Sequence, residues 1–235
     1  PDANAAGVEM DEIGFGVVAD AATRPPECRA AELGGPHAGQ AYVNGLTLQG
    51  VGHGTTIEYI QVHRHLDDGI EWVGGTVNVR YAVLTSNDDD DIDYDEGFMG
   101  NIQYALIEKS QTATAPQGSN DPRIIEANSS DDEFVPETDA VLANVTIIGG
   151  PVNNNSDSTN GQQPGMRLRG AVQTAIFNSA VSDFDTGCVR IDDANVNGDG
   201  SLIEVSTIAL VNVLGDCQDG FYDKRPADTE ENVEA

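Results

Sequence analysis

Basic residues are scarce in this chain of 235 residues: 11 Lys and Arg stand against 40 Asp and Glu, a formal net charge of -29. A surface of that sign repels nucleic-acid phosphates and anionic lipid, so neither is expected as a partner. It suits cations, a basic partner, or solubility in salt. Uninterrupted apolar runs of about 18 residues are also lacking, so no segment reads as a membrane span. Cysteine is sparse as well. Cys28, Cys188 and Cys217 lie far apart with no CxxC spacing, which excludes a zinc ribbon and a thioredoxin-like motif. The chain opens on Pro1-Asp2 without Met or a basic, apolar leader, and reads as a mature product or a piece of a longer protein. Nucleophile elbows, Cys-His signatures and phosphate-cradling glycine patterns are missing too.

What is present is a repeat. TIEYIQV (Thr56 to Val62), NVRYAVL (Asn78 to Leu84) and NIQYALI (Asn101 to Ile107) align, placing Tyr59, Tyr81 and Tyr104 22 and 23 residues apart. A period in the low twenties, built of short β-branched and aromatic runs punctuated by Gly, Asn and Asp, predicts stacked coils. A second short strand follows each polar turn: GIEWV (Gly69 to Val73), DIDYD (Asp91 to Asp95) and RIIEA (Arg123 to Ala127). Weaker copies follow as VTIIGG with GMRLRGA, AIFNSAV with CVRIDD, and STIALVNV. The fold expected is all-β, a right-handed parallel β-helix of roughly six turns between Gly45 and Val213. At about 4.8 Å per rung it makes a rod about 30 Å long. Alternation turns Ile60, Val62, Val79, Val83, Ile70 and Ile92 inward and stacks the three tyrosines as a ladder.

Residues 1–43 read as a first strand near Ile13 to Val18 followed by a long loop, 44–222 as the β-helix, and 223–235 as a mobile acidic tail. Ser110 to Arg123 and Pro151 to Gly165 are polar insertions that a solenoid can extrude from one corner. Cys188 and Cys217 fall in consecutive late turns. Stacking there brings their Cα atoms to about the 5.5 Å a disulfide needs, which leaves Cys28 free or paired elsewhere. One disulfide and one spare thiol suit an exported protein.

NGLTLQGVGHGTTIEYIQVHRHLDDGIEWVGGTVNVRYAV followed by DEGFMGNIQYALI is similar to a group of exported bacterial right-handed parallel β-helix surface proteins and lipoproteins of unassigned function. The similarity covers about two thirds of the chain, with the specific part from Asn44 to Ile107. It implies further strands upstream, and it supplies no catalytic residues.

Two acidic clusters lie about one turn apart. Asp67 and Asp68 are expected one rung from Asp90 and Asp91, and Glu71 near Asp93 and Asp95. Stacked like charges repel unless a cation or water intervenes, so Asp68 and Asp91 are candidate calcium ligands; the alternative is that DDG and DDDD simply form tight turns. DANVNGDGSLIE matches the EF-hand loop pattern through Asp193, Asn195, Asn197, Gly198 and Glu204, and a register shifted by two adds Asp199. Strands rather than helices flank it, so a hairpin-like turn competes with a calcium loop. His63 and His65 alternate on one strand, too few to specify a metal site, and read as solvated.

Glycosidases need two carboxylates at short range, which a ladder supplies cheaply. Gly52-His53-Gly54 and Asp67-Asp68 resemble the GHG and DD of pectin-hydrolysing β-helices, but in reverse order and without the Arg-Ile-Lys found there. A lyase would set a basic residue over a sugar beside calcium, and Arg167 and Arg169 stand in the right stretch for that. The reading that results is an extracellular or cell-surface structural and adhesive module. It is calcium-stabilised, self-associating head to tail or binding a surface glycan. A polysaccharide-active lyase or hydrolase, or a carbohydrate-binding module, is the alternative.

Overall fold

The computed structural model describes residues 44–65, 67–109, 123–129, 136–150, 156–157, 161–191, 195–196, 202–204 and 206–223. The expected first strand, the loop around Cys28 and the acidic tail lie outside these residues. So do Asp193, Asn197 and Asp199.

Short and long strands alternate along the chain. The short ones are β1 (Leu46–Gln49), β3 (Ile70–Val73), β5 (Ile92–Asp95), β7 (Ile125–Ala127), β11 (Met166–Leu168) and β13 (Val189–Ile191). The long ones are β2 (Thr56–His63), β4 (Asn78–Thr85), β6 (Asn101–Glu108), β8 (Asp139–Ile148), β12 (Gln173–Ser182) and β16 (Thr207–Asp216). Each set forms one six-stranded sheet in which every strand pairs in parallel with its equivalent in the next coil. One short and one long strand make a coil, and six coils stack as a parallel β-helix. Two small antiparallel pairs complete the description: β9 (Ser156–Asp157) with β10 (Gly161–Gln162), and β14 (Asn195–Val196) with β15 (Leu202–Glu204). Among the described residues no helix is long and apolar enough to cross a membrane.

The core is a set of side-chain columns running along the coil axis. Leu46, Ile70, Ile92, Ile125, Met166 and Val189 share one register position, and Leu48, Trp72, Tyr94, Ala127, Leu168 and Ile191 another. Phe98 adds to the second column, its ring 6.0 Å from that of Tyr94 and 5.4 Å from that of Trp72. Buried Tyr94 meets its polar requirement through a 3.1 Å hydrogen bond with Thr174.

A bend in every long strand corrects the expected alternation. Tyr59, Tyr81, Tyr104, Asn144, Asn178 and Asn212 all occupy the left-handed region, with φ between 49° and 59°. These residues stand at equivalent places in the six coils, and each follows an outward residue with a second outward one. Ile57, Val79, Ile102, Leu142 and Ile176 therefore point inward before the bend, and Val62 and Leu84 after it, whereas Val83 faces solvent. Strict alternation assigned Val83 to the core because nothing in a period of two signals a left-handed residue. Asn adopts this conformation readily, but for tyrosine it costs about 1–2 kcal/mol. Stacking offsets that cost: Tyr59 and Tyr81 lie 4.6 Å apart, and Tyr81 and Tyr104 5.1 Å apart, with nearly parallel rings. The tyrosine ladder expected from the repeat is present, and Asn212 continues it by donating from Nδ2 to Asn178 at 3.2 Å.

Cys188 and Cys217 form the expected disulfide, with Cα atoms 5.5 Å apart. Gly215 makes room for it, since a Cβ there would lie 2.9 Å from Cys188 Sγ and 2.3 Å from the Phe221 ring. Beyond the disulfide the chain begins another coil over the short-strand sheet, where Tyr222 bridges Val189. Among the described residues the long-strand sheet ends at β16, which pairs there with β12 alone, and Leu214 is 69% exposed.

Candidate functional site

Position repeats along a solenoid, so residues at one register position meet from coil to coil whatever their distance in sequence. On the outer face of the short-strand sheet this register lines up Thr47, Glu71, Asp93, Glu126, Arg167 and Arg190 in a single column. Acidic side chains fill the middle coils and guanidinium groups the last two. Glu126 is the seam between them: Arg169 Nε lies 2.7 Å and Arg167 Nη1 3.8 Å from its Oε1, while Arg123 donates to Oε2. Arg123 also reaches Gln163 Oε1 at 3.4 Å. Four of the chain's 11 cationic residues thus converge on one face of a strongly acidic molecule. Arg167 and Arg169 do stand beside the acidic ladder, as the sequence suggested. The contributions of Arg123 and Arg190 went unread because their strands are short and weakly repeated.

The corner that leads into this sheet is built from carboxylates turned inward. The backbone N–H of Asp68 donates to Asn44 Oδ1 at 3.3 Å, that of Asp90 to Asp68 Oδ1 at 3.1 Å, and that of Arg123 to Asp90 Oδ1. Each side chain therefore caps the backbone of the next coil, which explains why Asp68 and Asp90 are buried. Asp does mark the corners, but it bonds across coils rather than within its own turn. Gly69 is required beside them, because a Cβ there would come within 2.6 Å of the Asp91 carbonyl oxygen.

Crowding of these carboxylates shows in their proton affinity. Burial, followed by the charges of Asp93, Asp89, Asp67 and Glu71, pushes Asp68 up to about 10. Burial also raises Asp90 and Asp93 well above the ordinary range. After burial, Asp89 is the largest contributor for Asp90 and Glu126 for Asp93. Asp95 rises to about 6, through burial and then Glu96 and Glu71, with Arg169 opposing. Two groupings place carboxylate oxygens within 4.8 Å of one another, near enough to share one divalent cation: Asp67, Asp68 and Asp89, and Asp68, Glu71 and Asp93. Asp68 belongs to both.

Asp91 does not join them. Its side chain lies inside the coil, where Lys109 Nζ stands 3.2 Å from Oδ2 and Asn87 Nδ2 donates to Oδ1 at 2.7 Å. Asp91, expected beside Asp68, lies at the corner just before β5, where it and the adjacent Ile92 are both buried and strand alternation does not apply. Of the stretch from Asp193 to Glu204, the described residues form the antiparallel pair β14–β15, with Asn195 opposite Glu204. Of the two histidines expected to be solvated, His63 bonds Thr85 Oγ1 at 2.7 Å and His65 is buried, its N–H held by Asn87 Oδ1 at 3.0 Å. Arg64, with φ 57°, turns the chain between them and breaks the alternation.

Two concavities lie on the long-strand sheet. One, of about 370 Å³, mixes polar residues such as His53, Glu58, Arg80 and Asn101 with apolar Ile57 and Val141. The other, of about 610 Å³, runs along the tyrosine ladder. There Tyr81 is stacked on both sides, whereas Tyr59, 67% exposed, stacks on one.

No curated protein and no solved structure shows a significant match to the chain. A family model described as a pectate-lyase-like β-helix domain matches residues 28–233, nearly the whole length. The two six-stranded parallel sheets have the architecture that description names. The chain belongs to the family of pectate-lyase-like β-helix domains.

Proposed function

We propose that the chain is an extracellular adhesive module that binds a neutral, hydroxyl-rich polysaccharide along the outer face of its short-strand sheet without cleaving it. The column of Glu71, Asp93, Glu126, Arg167 and Arg190 carries this reading. It offers a hydrogen-bonding group about every 4.8 Å along the axis, acceptors at one end and donors at the other. Sugar hydroxyls both donate and accept, so they can meet either half. A net charge of -29 disfavours a polyanionic chain. Glu126, the carboxylate nearest the arginines, is held by several guanidinium groups, an arrangement suited to holding position rather than to attacking or protonating a glycosidic bond. The disulfide agrees with an oxidising, extracellular setting. Calcium has a stabilising role in this reading, bridging Asp68 to Glu71 and Asp93. Fold kinship alone carries no substrate.

Affinity electrophoresis in gels containing neutral or acidic polysaccharides tests the proposal. Retardation by a neutral glycan, weakened about tenfold in Arg167→Ala/Arg190→Ala, is the expected result. Release of new sugar ends from any of these polymers makes the protein an enzyme and overturns the non-catalytic part. No retardation by any glycan overturns the whole. A second reading, head-to-tail self-association, draws support from β16, which among the described residues pairs on one edge only.

A further inference from the structure

Lys109 is one of only two lysines in the chain, and it is buried to 1% exposure directly after β6. A solvated ammonium does not enter a β-helix core without cost, and a purely structural ion pair is seldom worth its desolvation. The surroundings of Lys109 are specific. Nζ lies 3.2 Å from Asp91 Oδ2, donates to the backbone carbonyl of Asn87 at 3.1 Å, and donates also to the carbonyl of Asp89. Asp91 is wholly buried, and its two oxygens are treated differently. Oδ1 is held by Asn87 Nδ2 at 2.7 Å, whereas among the described residues Oδ2 meets the Lys109 amine alone.

We infer that Lys109 and Asp91 are the partners of an intramolecular isopeptide bond that the folded chain forms by itself. The amine nitrogen attacks Asp91 Cγ, forming the N–C bond. Oδ1, already held by the Asn87 amide, becomes the carbonyl oxygen of the new amide. Oδ2 leaves as water, taking up two protons from the former ammonium. An ammonium and a carboxylate thus give one amide and one water, with no oxidant, nucleotide or other reactant. Asn87 acts as a positioning residue: its Nδ2 polarises the carbonyl, and its own Oδ1 is anchored on the His65 N–H. The two backbone carbonyls orient the amine. Condensation is unfavourable for separate molecules in water, but groups held in contact react with effective molarities of about 10⁵–10⁸ M. The dry core also retains no bulk water for the reverse step, and the product exchanges a buried charge pair for a neutral amide. The bond would tie the corner loop 87–91 to the end of β6, one coil further on.

Intact-mass spectrometry of the full chain, reduced and denatured, decides the matter. The expected mass is lower than that of the sequence by one water, and tryptic digestion should fail at Lys109 and yield a branched peptide joining Lys109 to Asp91. Lys109→Arg and Asp91→Ala should each restore the full mass. Because those variants can lose stability, the wild-type mass is the primary readout. The full sequence mass in the folded wild type overturns the inference. So does loss of ammonia in place of water, which would put the bond on Asn87. Loss of water without the branched peptide, as from a succinimide at an Asp-Gly step, overturns it equally.

Discussion

The backbone N–H of Asp90 donates to the carboxylate of Asp68 at 3.1 Å, so an acidic side chain in one coil completes the main chain of the next. Asn44 does the same for Asp68 with a neutral amide. The acceptor is therefore what the corner needs, and the charge is an additional burden. Asp68→Asn keeps the acceptor without a carboxyl group that burial and the charges of Asp93, Asp89 and Asp67 force to hold a proton. It should stabilise the protein by about 1–3 kcal/mol at pH 8, whereas Asp68→Ala should destabilise it by a similar amount by leaving the Asp90 N–H unsatisfied. Urea denaturation of both variants checks the pair, and equal effects would refute the distinction.

Stability should fall as pH rises. Asp95 is pushed up to about 6 and Asp68 up to about 10, in both cases first by burial, from an ordinary value of 3.8. Between the ordinary and the raised value the folded state binds more protons than the unfolded one, so each unit of pH costs stability. The contribution of Asp95 is lost between 3.8 and about 6, and that of Asp68 declines on toward 10. Melting in EDTA should accordingly occur at a higher temperature at pH 5 than at pH 8. A Tm that is flat or rising over that interval contradicts the crowding of these groups.

Calcium and protons should compete for the same oxygens. Because Asp68 joins both carboxylate groupings, a cation there must displace its proton. Saturating calcium at a hundred times its Kd would add about 2.7 kcal/mol. The gain in Tm should be larger at pH 8 than at pH 5, and larger than that from sodium chloride at equal ionic strength. Equal responses to the two salts leave only screening.

Tyr81 combines a left-handed backbone, φ 59°, with a ring stacked on both sides. Tyr81→Asn loses the stacking but suits the backbone, as the later coils do at Asn144, Asn178 and Asn212, and should cost about 1 kcal/mol or less. Tyr81→Val loses the stacking and also strains a β-branched residue, and should cost about 2–3 kcal/mol. Thermal denaturation of the two variants ranks them; the reverse order would mean that ring contact alone sets the position.

Among the described residues the last long strand pairs on one edge only, and Val211 and Leu214 are exposed. If copies join there, sedimentation of the wild type should show larger species with rising concentration, and Leu214→Asp should return it to monomer. Monomers throughout would end the self-association reading.

Much of the architecture was written in spacing. Tyr59, Tyr81 and Tyr104 set the coil length, GIEWV and DIDYD marked the second strand, and the consecutive late turns brought Cys188 to Cys217. Periodicity is a one-dimensional property, and a solenoid turns it directly into neighbourhood. The bend in each long strand recurs from coil to coil, but a left-handed residue leaves no mark in an apolar pattern when tyrosine occupies it, so Val83 was assigned to the wrong side; the left-handed Arg64 did the same to His65. The acidic runs were legible as corners, but only the fold separated Asp68, which caps the next coil, from Asp91, which turns inward to Lys109. The seam at Glu126 likewise needed the structure, because the register of short strands decides which charges meet, and loops of unequal length hide that register from the sequence. Composition determined the sign of the surface; stacking decided where its few cations would stand.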